Sequence, residues 1–211
     1  MPASRARSSA ITAGIMCAVA LTAAACGSAS SSTPAAAPAA SPSHHAMGSH
    51  VMAETARFGS DCGMIPATGM GSFHGMSMDP VAAAASHNPL LTTLAADIKT
   101  AGLAGDLDSM HALTVFAPAN AAFARLPAAA MTMMHSTAEL AKILKYHVVS
   151  GRVTPAQLAS GKPLTTLEGS ALEPSKMGAV YEINNADVIC GNIQTANATV
   201  YVINRVLIPG H

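Results

Sequence analysis

Thr114-Val115-Phe116-Ala117-Pro118-Ala119-Asn120-Ala121-Ala122-Phe123 joins two kinds of local structure in one short stretch. Leu113 to Ala117 is an apolar run closed by Pro118, the pattern of a buried strand, since proline has no N–H to carry a ladder onward. Asn120 then stands where a cap is wanted and opens a helical turn through Phe123. Phe116 and Phe123 are the apolar anchors. Upstream the punctuation is helical. Asp79-Pro80 and Asn88-Pro89 each set a capping residue before a proline, and Leu91, Leu94, Ala95 and Ile98 follow at helical spacing until Gly102. Downstream, Ser136-Thr137-Ala138-Glu139 reads as a capping box ahead of Leu140, Ile143, Leu144 and Val148. Thr154-Pro155-Ala156-Gln157 repeats the device for a short helix ending at Gly161. Beyond Gly161 the segments near 164–167, 171–173, 180–183, 187–190 and 199–208 are short, β-branched and separated by Gly, Asn or Pro, which is strand-and-turn punctuation. Helices first and strands later predict an α+β domain with helices packed on a sheet or sandwich.

Two further segments join the first. Ile143-Leu144-Lys145-Tyr146-His147-Val148-Val149 lies where a helix gives way to a strand, and Thr199-Val200-Tyr201-Val202-Ile203-Asn204-Arg205-Val206-Leu207-Ile208-Pro209 closes the chain. Together, in this order over residues 79–209, the three segments resemble the fasciclin (FAS1) domain. Asn185-Ala186-Asp187-Val188-Ile189-Cys190 and Thr195-Ala196-Asn197-Ala198-Thr199 look closer still to the secreted and lipid-anchored fasciclin antigens of mycobacteria. The resemblance implies a wedge-shaped β-sandwich with packed helices, and a non-enzymatic role in adhesion at cell surfaces or matrix. It implies a disulfide between Cys62 and Cys190. It also draws attention to Tyr146 and His147 as interaction residues. For His147 a second reading stands beside this one: a partly buried histidine whose ring nitrogens bond backbone groups. One departure is visible, because the closing motif usually has Asp where this chain has Asn204, and an adhesive role borrowed from the acidic form does not transfer directly.

The N-terminus reads as an export signal. Arg5 and Arg7 precede an apolar run from about Ala10 to Leu21 and an Ala23-Ala24-Ala25 exit, the three parts of a secretory signal peptide over residues 1–25. The run is shorter than the roughly 20 apolar residues of a membrane span. Leu21-Thr22-Ala23-Ala24-Ala25-Cys26-Gly27 resembles a lipobox, in which Cys26 is acylated and anchors the mature chain to the membrane. An ordinary signal peptidase cutting after Ala25 would instead leave a free terminal thiol. With Cys26 lipidated, Cys62 and Cys190 can pair with nothing left over; otherwise one reactive thiol is unexplained. Residues 27–50 are Ser, Ala and Pro with almost no large apolar side chain. They cannot bury enough surface to repay ordering and read as a disordered tether, with Thr33 and its serine neighbours as compositional O-glycosylation points. Residues 51–78, rich in Met, Gly and His, read as a poorly ordered lead-in pinned at Cys62.

Eleven basic residues balance eleven acidic ones, and loss of Arg5 and Arg7 leaves the mature chain slightly acidic. That argues against nucleic acid as a partner, since phosphate binding needs a concentrated basic patch. The expected partners are a surface or extracellular protein or glycan, and the membrane through the N-terminal lipid. No Gly-x-Ser-x-Gly elbow, Walker loop, dinucleotide fingerprint or His-Glu-x-x-His helix occurs, so no enzyme is predicted. Asn197-Ala198-Thr199 matches an N-glycosylation pattern, but Asn197 is read as a turn residue before the last strand. One cluster lies outside the resemblance. His44, His45, Met47, His50 and Met52, with Met64, Met70, His74, Met76 and Met78 following, offer soft thioether and imidazole donors suited to copper, above all Cu(I). The alternative is a loose, methionine-tolerant segment that binds nothing.

Overall fold

The computed structural model describes residues 56–210. The signal peptide, Cys26, the tether and His44, His45, Met47, His50 and Met52 lie outside the described residues. Helices α1 (Phe73–Met78), α2 (Val81–His87), α3 (Thr92–Thr100) and α4 (Ala104–Ser109) precede strand β1 (Leu113–Pro118). Then come α5 (Asn120–Phe123), α6 (Ala128–Met134), α7 (Thr137–Tyr146), β2 (Val148–Ser150) and α8 (Pro155–Ala159). The chain finishes with β3 (Leu164–Thr165), β4 (Ala171–Leu172), β5 (Pro174–Met177), β6 (Val180–Ile183), β7 (Ala186–Gln194) and β8 (Ala198–Ile203). Six strands form one curled mixed sheet in the order β2-β1-β8-β7-β6-β5, and β3 pairs with β4 in a separate ribbon. The one parallel pairing of the large sheet sets Leu113 to Pro118 beside Ala198 to Ile203.

Strand periodicity divides the hydrophobic residues between two cores. Val115, Ala117, Val200 and Val202 face the layer of α1–α4 and α7, against Met76, Leu94, Ile98, Leu107 and Leu140. Their neighbours Phe116, Tyr201 and Ile203 point to the other face, against Leu158 of α8 and Leu172 of β4. A sheet covered on both sides explains why every residue of β1 and β8 is buried, most of them apolar. The α+β architecture expected from the sequence is therefore the observed one, with the second layer of the sandwich reduced to α8 and a short ribbon.

Two expectations are corrected. The segment read as a poorly ordered lead-in is, from residue 56 onward, part of the folded body. The Gly191 N–H donates to the Phe58 carbonyl at 2.7 Å and the Asp61 N–H to that of Ile189 at 2.9 Å. These bonds use the stretch of β7 that β6, which pairs only with Ala186 and Asp187, leaves uncovered. The Phe58 ring lies over Gly191, where a Cβ would overlap it, and packs 4.4 Å from the Tyr181 ring, centroid to centroid. A disulfide joins Cys62 to Cys190, and Met76 is a core residue at 2 % exposure. Periodicity could not find this segment because its anchors are single residues on another element.

The second correction concerns caps. Thr154 and Gln157 do form the expected box on α8. Ser136, however, makes no side-chain cap on α7. Asn120 does not cap its own helix: its Oδ1 accepts the Thr93 N–H of α3 at 3.0 Å, and its Nδ2 donates to the Pro89 carbonyl. Asp79 pairs with His87 at 3.1 Å, while the first N–H groups of α2 go to distant side chains, Val81 to Asn197 Oδ1 and Ala82 to Asp108 Oδ1.

Candidate functional site

α7 ends at Tyr146, with His147 as its C-cap, and the chain passes at once into β2. Consecutive residues at such a junction point in different directions, and here both point inward. Tyr146 is 3 % exposed and His147 2 %. Neither side chain can meet a partner directly, so the buried reading describes His147 and surface contact through this pair is corrected.

What they do instead is hold the walls of a groove. Its volume is about 380 Å³, and its lining comes from three separated stretches, residues 122–127, 184–186 and 205–208. The Leu207 N–H donates to His147 Nε2 at 2.9 Å, fixing the 205–208 wall. That bond requires Nε2 to be the acceptor, so the proton sits on Nδ1, which donates to the Ile143 carbonyl at 2.8 Å. Burial pushes the His147 pKa down to about 4, with the Ile143 bond opposing it, so the ring is neutral at physiological pH. The opposite wall is the β6–β7 turn. Asn184 takes the left-handed conformation there (φ 52°), which Asn tolerates better than most residues. Its Nδ2 donates to the Tyr146 hydroxyl at 3.1 Å and its Oδ1 accepts the Glu173 N–H at 2.9 Å. The Tyr146 hydroxyl in turn donates to the Ala171 carbonyl. The two walls are laced together just outside the groove: Asn204 Oδ1 accepts the Asp187 N–H, and Asn204 Nδ2 donates to the Asp187 carboxylate at 2.7 Å. The departure at Asn204 thus has a structural use, since a second carboxylate there would face Asp187.

The groove's charged residues, Arg125 and Arg205, were not singled out in the sequence. The signals that could have pointed to them are a lone cation, Arg205, inside the closing motif and the paired amides Asn184-Asn185 between two strands. Nothing local shows that 125, 184 and 205 meet.

The remaining candidates are dispersed. Cys62 and Cys190 are joined and do not offer thiols. Asn197 is 7 % exposed, with its carboxamide bonded to Val81, Leu107 and Met110, so the sequon nitrogen is occupied. Among the described metal candidates, Met76 is in the core and receives the Asn88 Nδ2–H at 3.4 Å, while Met64, Met70 and Met78 are exposed, as is His74. Among the described residues no three His, Cys, Asp or Glu side chains gather as a metal set. No described helix is long and apolar enough to cross a membrane.

Comparison with known proteins places these features. The model of the fasciclin domain family matches residues 89–209. The chain is similar to immunogenic protein MPB70 of Mycobacterium bovis, 45 % identical over 152 residues that cover 67 % of this chain and 75 % of that protein. It is also similar to cell surface glycolipoprotein MPB83 of Mycobacterium bovis, at 43 % identity with 67 % of this chain and 66 % of that protein covered. A solved FAS1 domain pair from the insect cell adhesion molecule fasciclin I aligns over 56 % of this chain and 45 % of its own, at 20 % identity and a TM-score of 0.46.

Proposed function

The chain belongs to the fasciclin domain family, and from that membership we propose that it is an extracytoplasmic surface protein that acts by binding partners and catalyses nothing. The observation that carries the reading is the groove built on the Tyr146–His147 junction, braced from within and open to solvent. The buried histidine, the buried Tyr201 and the described cysteines are all engaged in holding the fold. Both ring nitrogens of His147 are used, the Tyr201 hydroxyl donates to the Val153 carbonyl at 2.7 Å, and the described cysteines are paired. The similarity to a mycobacterial surface glycolipoprotein supports a place outside the cytoplasm. The lipobox-like run supports acylation of Cys26, with the signal peptide removed and residues 27–50 spacing the domain from the membrane.

The test is made in cells that display the chain. The parental protein is expected in the membrane fraction, and Cys26→Ala in the medium. Cells carrying the parental chain are expected to attach to immobilised extracellular proteins more than cells lacking it or releasing it. Equal attachment by all three would overturn the adhesive reading, and a membrane-bound Cys26→Ala protein would overturn the lipid anchor.

A second reading, copper binding, keeps one specific observation in its favour: the thioethers of Met64, Met70 and Met78 and the ring of His74 are all exposed to solvent. A competitive Cu(I) titration tests it, comparing the parental chain with one that lacks residues 44–52 and also carries Met64→Leu, Met70→Leu, His74→Gln and Met78→Leu; Cu(I) binding equal in the two would overturn it. The deletion stops there because a longer one, to residue 78, would remove Phe58, Met76 and the disulfide and so test folding instead.

A further inference from the structure

We propose that the groove lined by residues 122–127, 184–186 and 205–208 binds an acidic peptide segment of an extracellular partner protein, with Arg125 and Arg205 receiving its carboxylates. This deepens the partner-binding role proposed above and rests on it. The two guanidinium groups are the only charged side chains in the described lining, and no carboxylate lies among them. Arg125 and Arg205 are both exposed, and among the described residues no Lys or Arg side chain is paired with a carboxylate. Asp187, the acid nearest in sequence to the groove wall, has its carboxylate bonded by the neutral Asn204. Arg205 follows Asn204 where the closing motif usually has an acid, and no ion pair joins it to Asp187. Guanidinium groups present planar forks of donors that match carboxylates bidentately, and they desolvate more readily than ammonium groups.

The rest of the lining selects among sources of carboxylate. Apart from the arginines and Asn184-Asn185, the lining is apolar, from Ala122, Leu126, Pro127, Val206 and Ile208 among others. A uronate sugar would set several hydroxyls against that surface with one free carboxamide, that of Asn185, to answer them, since both ends of the Asn184 carboxamide are already bonded inward. A peptide alternating acidic and aliphatic side chains answers both parts of the lining. The volume of about 380 Å³ accommodates a few residues of a passing segment rather than a folded domain. The bonds from His147, Tyr146 and Asn204 hold the walls before any ligand arrives, which lowers the ordering cost of binding.

The experiment is an anisotropy titration of the disulfide-bonded chain with a short labelled peptide alternating Glu and Leu, and with its Gln-for-Glu counterpart. The acidic peptide is expected to bind about tenfold more tightly than the neutral one, and added salt is expected to weaken it. Arg125→Gln and Arg205→Gln are each expected to weaken binding about tenfold, with Lys162→Gln, away from the groove, unchanged. Neither arginine side chain makes a hydrogen bond within the described fold, so unchanged melting temperatures accompany the loss. The double variant Arg125→Glu/Arg205→Glu is expected to exchange its preference for a Lys-for-Glu peptide. Equal binding of the acidic and neutral peptides, indifference to both arginine substitutions, or tighter arginine-dependent binding of an oligouronate would each overturn the proposal. The attachment assay separates the two levels. Attachment unchanged in the Arg125→Gln/Arg205→Gln chain overturns the groove's part in partner binding and leaves the surface role standing. Absent attachment by the parental chain overturns the surface role itself, while the titration still decides the groove.

Discussion

His147 couples the protonation of one ring to the shape of the groove. Its Nε2 accepts the Leu207 N–H, so a proton there would set two donors against each other inside a buried site. The folded-state pKa, lowered to about 4 chiefly by burial, lies below the ordinary 6.5 of the unfolded chain. Between these values the unfolded state binds more protons than the folded one. The stability that this neutral ring contributes is thus fully present above about pH 6.5 and is lost as pH falls toward 4. At about 1.4 kcal/mol per pH unit, the loss from pH 7 to pH 5 is about 2 kcal/mol. Urea unfolding of the parental chain should show this fall. His147→Leu should be less stable at pH 7 by about 2 kcal/mol, because Leu207 loses its acceptor, and should lack the His147 part of the pH dependence. A parental chain equally stable at both values would contradict the assignment. The same residue shows what sequence reading can reach. The Tyr-His pair was legible as special, but whether it faced solvent or the interior depended on Leu207, sixty positions away, meeting it.

Among elements, the helices were legible where their own residues carry the signal. Leu91, Leu94, Ala95 and Ile98 mark the buried side of α3, and Thr154 with Gln157 marks the start of α8. They were not legible where the signal is supplied from outside. α2 begins without a cap of its own, and its first turn is closed by Asn197 from the loop before β8. The same carboxamide donates to the Leu107 and Met110 carbonyls at the end of α4, at 2.8 and 2.9 Å. One side chain thereby ties two helices to the central parallel pair of the sheet. Asn197→Ala removes these bonds and leaves a buried N–H and two carbonyls unanswered, so a loss of about 3 kcal/mol is expected, above that of an exposed cap. Asn197→Asp retains the acceptor for Val81 but turns a carboxylate oxygen toward the two carbonyls, and should be no more stable than Asn197→Ala. Thermal melts of both variants check this. An Asp variant close to the parental chain would show that the α4 bonds contribute little.

At the scale of the whole molecule, distant stretches complete one another. The groove needs 122–127, 184–186 and 205–208 together, which is why its arginines were invisible to any reading of local pattern. The N-terminal segment is the other case. It reads as a lead-in because Met, Gly and His show no period, yet it covers an edge of β7, places Phe58 on Gly191 and fills the core with Met76. The Cys62–Cys190 disulfide spans 128 residues of sequence, so it closes nearly the whole domain into one loop. In the chain-entropy account such closure contributes about 5 kcal/mol by restricting the unfolded chain. If the segment were only a tether pinned at one point, removing the bond would release it with little effect on melting beyond that term. Because it is also paired and packed, two separate losses are expected. Cys62→Ala/Cys190→Ala should lower the melting temperature by roughly 10–20 °C. A chain beginning at Asp79, which has no disulfide either, should fall further, because the Phe58 and Met76 contacts go as well. Phe58→Ala in the disulfide-bonded chain isolates the packing part and should cost about 2 kcal/mol, since the ring is only half-buried. Equal melting of the Asp79 chain and the double cysteine variant would mean that the segment acts through its covalent bond alone, and the boundary of the folded unit would return to Asp79.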